Sequence, residues 1–275
     1  MPTEDSDPSD RAALLTAFET QVRAAEGSRL PPGVSCTWDG PVLRCVGMQR
    51  GFVTTRALAG LASDELDGVI TRTVGYFAAR GEAFEWKTYG HDQPADLPAR
   101  LAAAGFEAEP QETVLIGETD QMAVPPVLPD GVAVRAVNTR DDLDRIAALE
   151  SQVWGEDMSW LAEELAGLLA ADPDHVTITV AEADGEVVSA GRLEILPGTE
   201  FAGLWGGSTL PAWRGRGIYR ALVAARARLA RERGVRYLQV DASDDSRPIL
   251  ERLGFIAVTT TTPYVWTPAR PAPDG

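Results

Sequence analysis

The sequence predicts an α/β (α+β) protein of two tandem domains, each a mixed, mostly antiparallel sheet flanked by helices. Three observations lead there. Apolar residues recur at helical spacing in some segments and at strand spacing in others. A stretch at 119–130 holds Pro125, Pro126 and Pro129, which oppose regular structure and suit a semi-rigid linker. Each side of that linker ends in one order of elements: strand, short helix, Gly-Phe, strand. The segments are AFEWKTYG to Gly105-Phe106 in the first block and VRYLQVDA to Gly254-Phe255 in the second, which reads as a duplication.

The first block, 11–118, follows an acidic, turn-rich segment at 1–10 that is expected to be disordered. Leu14, Phe18 and Val22 recur every fourth residue and predict a helix over 10–26. Strands are expected at 34–46 and 51–57. A helix at 63–80 has Ser63 as its N-cap and a stripe of Leu66, Ile70, Val74 and Phe77. A strand at 83–89, a helix at 95–104 and a strand at 111–117 complete the block.

The second block, 131–267, opens with a strand at 132–136 and two helices at 139–153 and 157–170. Val176, Ile178 and Val180 alternate as a strand does, and Asp184-Gly185 turns the chain into a partner at 186–195. A strand at 201–209 contains Gly206-Gly207, a pair that weakens a strand and invites a bulge. After it come a helix at 217–233, a strand at 235–241, a short helix at 246–252 and a strand at 256–266. The tail, 268–275, is expected to be flexible.

Composition excludes several roles. The 275 residues carry a formal charge of −16, a field that repels nucleic-acid backbones and suits a cationic small molecule. No apolar run is long enough to cross a membrane, and the N-terminus has neither a secretory nor a transit pattern, so a cytoplasmic protein is expected. Cys36 and Cys45 flank an Asp39-Gly40 turn; a hairpin closed there pairs Cys36 with Leu43, leaving two reduced thiols. With His91 and His175 as the sole histidines and no CxxC, no metal site is expected.

The chemistry concentrates at Thr209–Tyr219 (TLPAWRGRGIY), a strand end, a loop and a helix start. Gly215 and Gly217 allow a tight turn and close approach to the backbone. Loop and first-turn N–H groups, with the helix dipole, then form a pyrophosphate site. A P-loop needs Lys-Ser/Thr where Ile218-Tyr219 stands, and a dinucleotide fingerprint needs glycine where Arg220 stands. Arg214, Arg216 and Arg220 lie close enough to meet ligand phosphates. The following helix is expected to bury Ile218, Leu222, Ala225 and Leu229, with Arg228 and Arg231 on its solvated face.

On these residues the segment 132–266 resembles the GNAT superfamily of N-acetyltransferases, whose motif is Arg/Gln-x-x-Gly-x-Gly/Ala. Arg214, Gly217 and the preceding Thr209-x-Pro211 match, and Arg247–Phe255 (RPILERLGF) is similar to the family's closing helix. Tyr219 departs from the pattern, standing where Gly or Ala is usual. The first block resembles a degenerate second copy without the motif, making the chain a tandem of GNAT-like domains. The resemblance implies acetyl-CoA as co-substrate, with Ser208, Thr209 and Leu210 pairing with the pantetheine arm. Arg214, Gly215, Arg216, Gly217, Ile218, Tyr219 and Arg220 would cradle the pyrophosphate. It also implies that two parallel strands splay apart at the Gly206-Gly207 bulge, with the acyl chain in the gap.

Catalytic residues are less legible. Many family members protonate the leaving thiolate from a tyrosine four residues before the closing Gly-Phe, where Leu250 stands. The strand before the motif, Gly203–Ser208, has no carboxylate to serve as a base. Asp241 and Ser243, at a strand end beside the loop, are the first candidates, ahead of Glu194, Tyr237 and Asp244, the last a natural N-cap. His91-Asp92 occupies the equivalent place if the blocks are duplicates. Trp205 and Tyr219 are candidates to line an acceptor pocket, and Trp213 reads as packing. The expected activity is acetyl transfer from acetyl-CoA to a small, cationic primary amine by a monomer or homodimer. The alternative is a non-catalytic acyl-CoA-binding regulatory module.

Overall fold

A computed structural model describes residues 8–28, 30 and 33–268. The chain opens with α1 (Pro8–Ala17), which widens into a π-turn at Phe18–Val22 and tightens at Arg23–Ala25. Then follow β1 (Ser35–Asp39), β2 (Val42–Val46), β3 (Gly51–Thr55), α2 (Ser63–Ala78), β4 (Phe84–Tyr89), α3 (Leu97–Ala103) and β5 (Glu107–Ala108). Next come β6 (Glu112–Glu118), α4 (Thr119–Met122), β7 (Val132–Val137), α5 (Arg140–Trp154) and α6 (Leu161–Ala171). The remainder is β8 (Val176–Ala183), β9 (Glu186–Ile195), β10 (Phe201–Thr209), α7 (Ile218–Glu232), β11 (Tyr237–Ala242), α8 (Arg247–Arg252) and β12 (Ile256–Trp266). Residues 8–10, expected to be disordered, form the first turn of α1; the rest of that segment, and 269–275, lie outside the described residues.

These elements form two compact units whose boundaries do not follow the proline-rich stretch. Among the described residues, one unit comprises those of 8–24 and 114–258, the other those of 25–113 and 259–268. The stretch expected to be a bare linker starts with α4, whose Met122 and the following Ala123 are buried with Leu115, Val223 and Leu238. An apolar residue on each side of the helix end draws the segment into the core, which outweighs the prolines after it.

In the unit containing 25–113, β1, β2 and β3 run antiparallel, β3 pairs in parallel with β4, and β4 pairs with Thr261–Trp266 of β12. Its core stacks Phe77 of α2 on Phe84 of β4 at 4.1 Å, with Trp86 and Phe106 beside them. Helix α2 starts at Ser63, so its cap is Ala62 instead, whose N–H donates to the Glu65 carboxylate at 2.9 Å.

The cysteine reading needs correcting here. The β1–β2 hairpin turns on Gly40-Pro41, with Asp39 opposite Val42, so Cys36 faces Cys45 rather than Leu43. Directly opposed cross-strand residues bring their Cα atoms to 4.1 Å, and the two sulfurs are joined as a disulfide. The argument for a reducing compartment from two free thiols therefore falls.

In the larger unit, β7, β8, β9 and β10 form an antiparallel meander, and β11 adds to β10 in parallel. Side chains that alternate along β9 reach opposite faces. Val187 packs with Leu143, Ile146 and Leu165 of α5 and α6. Its neighbour Val188 packs with Ile218 and Leu222 of α7. One sheet thus carries α5 and α6 on one face and α7 on the other. Thr139 caps α5 by accepting the Asp142 N–H at 3.3 Å, and Gly155 ends it in a left-handed conformation.

Candidate functional site

The site begins where two strands part. β10 and β11 pair over Phe201–Gly203 and Tyr237–Gln239, yet β10 runs on to Thr209 and β11 to Ala242. On the other side, β10 stays paired with β9, with a bulge between Trp205 and Ser208. Gly206, with φ +56, supplies the kink. Among the described residues the pairing of β10 with β11 ends at Gly203, which leaves backbone groups on the β11-facing edge of β10 open to a ligand with amides of its own.

The loop that follows ends in a helix start shaped for an anion. After a tight turn at Pro211–Trp213, Gly217 caps α7 with φ +84, a conformation that favours glycine. The first helical N–H to find an acceptor is that of Ala221, bonded to the Gly217 carbonyl at 3.0 Å. Those of Ile218, Tyr219 and Arg220 precede it and have no acceptor within the helix. The first turn has no acidic residue to cancel the dipole. Arg214 folds back so that its Nε donates to the Thr209 carbonyl at 3.1 Å, and Arg216 lies over the Trp213 ring at 4.6 Å. These contacts hold two of the predicted arginines beside the loop, and Trp213 acts as the platform for Arg216. Ser208 and Ile218 are buried, Thr209, Leu210 and Tyr219 are half-buried, and Arg220 is exposed.

Around the bulge, neighbouring residues face opposite sides of the sheet. A Cβ on Gly207 would lie 2.9 Å from the Tyr219 ring, so Gly207 makes the room that a bulky residue at the loop's end requires. Burial raises the Tyr219 pKa above the usual phenol value. Ser208 points the other way, and its hydroxyl donates to Glu150 Oε2 at 2.7 Å.

Glu150 is the group that sequence reasoning missed. It is 4 % exposed, sits on α5, and accepts a second bond on the same oxygen from Trp154 Nε1 at 2.8 Å. Burial holds its pKa above the ordinary carboxylate value, partly offset by the Ser208 and Trp154 hydrogen bonds and by the charge of Arg192. The signal was available: Leu143, Ala147 and Glu150 lie on one stripe, which puts a carboxylate on the buried face of an amphipathic helix.

The other candidates are more dispersed. Asp241 accepts from Gln239 Nε2 at 2.7 Å on β11, past the point where the strands part. Ser243 lies in the turn before α8, where its hydroxyl meets Ser246 Oγ at 3.2 Å and its carbonyl accepts the Arg247 N–H at 2.9 Å. Ser246, rather than Asp244, occupies the cap position. Leu250 is fully buried. Glu194 pairs with Arg192 at 2.5 Å. His91, in the smaller unit, bonds Thr259 at 2.8 Å. On α7 the buried face includes Arg226, whose Nε and Nη1 donate to the carbonyls of Leu222 and Arg192. Ala225 and Leu229, expected on that face, are only half-buried. Among the described residues no group of three or more metal-ligating side chains occurs, and no helix is long and apolar enough to cross a membrane.

Comparison with known proteins agrees with this geometry. Residues 140–255 match the model of the acetyltransferase (GNAT) family. A GCN5-related N-acetyltransferase from Kribbella flavida superposes with a TM-score of 0.67 at 16% identity, covering 98% of both chains. A tandem GNAT protein from the clavulanic acid biosynthesis pathway gives 0.63 at 15% identity, over 98% of this chain and 97% of that one. A GCN5-related N-acetyltransferase from Sphaerobacter thermophilus gives 0.60 at 16% identity, over 96% and 93%. At such identities these structures speak for the fold. No curated protein sequence matches the chain.

Proposed function

We propose that this chain, whose residues 140–255 form an acetyltransferase domain of the GNAT family, transfers an acetyl group from acetyl-CoA to a primary amine of a small, cationic acceptor. The parting of β10 and β11 beyond Gly203, next to a glycine-capped helix start, is the observation that carries this reading. Ser208 and Thr209 are proposed to pair with the pantetheine arm; the N–H and carbonyl of Leu210, also expected there, are engaged with Val188 at 3.0 Å and Trp213 at 2.8 Å. The N–H groups of Ile218, Tyr219 and Arg220, with Arg214 and Arg216 held at the loop, receive the pyrophosphate.

The amine nitrogen attacks the thioester carbonyl carbon, a C–N bond forms, and the C–S bond breaks. The amine must first lose a proton, and the departing thiolate must gain one. With Leu250 at the usual tyrosine position, the thiolate takes the proton that the new amide nitrogen sheds, directly or through water. Asp241 and Ser243 border the gap from the β11 side and are proposed to orient the acceptor. The formal charge of −16 draws a cationic amine towards the chain.

Calorimetry with acetyl-CoA, followed by thiol release across polyamines, aminoglycosides, amino acids and lysine peptides, tests the proposal. Binding with thiol release supports it. Binding without release by any amine favours the second reading, an acyl-CoA-binding regulatory module, which the buried Leu250 also suits. Absence of binding overturns both.

A further inference from the structure

We propose that Glu150 receives the ammonium group of the acceptor amine and takes its proton. The inference rests on the acetyl-transfer reading above.

Four observations place this carboxylate at the acceptor side of the gap. Its Oε2 accepts the Ser208 hydroxyl at 2.7 Å, so it is fixed to the strand residue that follows the bulge. It lies on the α5 face of the sheet, opposite the α7 face on which Tyr219 and the arginine-glycine loop lie; acetyl-CoA and amine can then approach the open strand from different sides. Both hydrogen bonds to Glu150 go to Oε2, and Oε1 takes neither, which leaves an acceptor atom for an N–H of the ligand. The Trp154 indole that holds Oε2 is itself 64% exposed, so the buried carboxylate is bonded to an aromatic ring that reaches solvent, a surface that suits an approaching cation.

The surrounding charges leave Glu150 as the unbalanced negative group. From β9, Arg192 acts on it, but Arg192 is bonded to Glu194 at 2.5 Å. Arg226 reaches the Arg192 carbonyl from α7, on the other face. β10 contributes no charged residue, and the α6 carboxylates Glu163 and Glu164 are exposed. Of the nearby α5 charges, Arg145 is engaged with Asp142 on its own helix and with Glu182.

The proton balance closes without any further reagent. The ammonium N–H bond breaks, Glu150 becomes a carboxylic acid, and the amine nitrogen gains the lone pair that attacks the thioester. The thiolate then takes the second proton from nitrogen, and Glu150 returns its own to water. A buried carboxylate with a raised pKa is the better base for an amine than an exposed one.

The test compares wild type with Glu150→Gln and Glu150→Asp, using acetyl-CoA and the most rapidly acetylated amine of the panel. For Glu150→Gln, kcat/KM for the amine should fall ~10²–10⁴-fold and the acid limb of its pH profile should vanish, while acetyl-CoA affinity is retained. An unchanged kcat/KM and pH profile would overturn the proposal, as would a matching loss of acetyl-CoA affinity, which marks a scaffold role. If Glu150→Gln does not fold, Glu150→Asp decides: a lowered kcat/KM with the acid limb retained supports the proposal, and an unchanged kcat/KM overturns it. A wild-type protein that binds no acetyl-CoA or releases no thiol fails the acetyl-transfer reading instead.

Discussion

Tyr219 occupies the space that a side chain on Gly207 would need: a Cβ there would lie 2.9 Å from its ring. The residue that departs from the family motif is thus matched by one on the strand opposite it. Gly207→Ala should overpack the contact and cost ~1–3 kcal/mol. Pairing it with Tyr219→Ala should recover part of that loss, a coupling of ~0.5–3 kcal/mol in a double-mutant cycle. Thermal or denaturant unfolding of the four proteins measures it; strict additivity would mean that the two residues do not constrain each other.

Gly217 caps α7 at φ +84, where a β-branched residue is strained by ~1–2 kcal/mol. A Cβ there would meet Arg220 Nη2 at 3.3 Å, so the conformation rather than crowding is the obstacle. Gly217→Val should keep the fold, seen by circular dichroism, and weaken acetyl-CoA binding at least ~tenfold by calorimetry, a change of ~1.4 kcal/mol. Unaltered affinity would detach the loop from the cofactor.

Acid should loosen the start of α5. The Arg135 guanidinium bonds Asp142 and Glu182 and lowers each pKa to about 2. Lowered carboxylate pKa values contribute stability above the ordinary carboxylate range, and that contribution is lost as pH falls towards 2. Arg135 is 39% exposed, so screening limits the effect of Asp142→Asn to ~1–2 kcal/mol near neutrality. Unfolding midpoints measured from pH 7 down to 2 should converge for wild type and variant; a constant gap would refute the assignment.

Glu150 should carry the opposite sign. Burial raises its pKa, so its contribution is present at low pH and is lost as pH rises through the folded-state value. Glu150→Gln removes the cost of a buried charge and should raise stability by up to ~1 kcal/mol at pH 8. Differential scanning calorimetry at pH 5 and 8 should find the gain larger at pH 8. A loss at pH 8 would mean that the ionised carboxylate is well compensated.

The order of elements was legible because it depends on local spacing. The bounds of β9, β10 and β12 coincide with those expected, and Gly217, read as a residue that permits a tight turn, caps α7. Glu150 was harder, since its environment is made by Ser208, 58 residues away. Arg226 was hidden for the same reason: its acceptors include a carbonyl on β9 that no helical pattern reveals. The hairpin turned on Gly40-Pro41 rather than Asp39-Gly40, and that shift decided whether Cys36 and Cys45 met. Boundaries between units were not readable, because they follow contacts and not composition.

The division of the described residues into 8–24 with 114–258 and 25–113 with 259–268 bears on how the chain folds. During synthesis the strands β1 to β4 emerge early, but their sheet gains its β12 strand only when Thr261–Trp266 appear, some 173 residues after Thr88. The smaller unit is therefore completed last, and its hairpin edge must wait while residues 114–258 of the larger unit are made. Such long-range closure slows folding and exposes unpaired strand edges in the interval. Neither unit corresponds to a continuous stretch of sequence, so cutting at 119–130 would leave both unfinished.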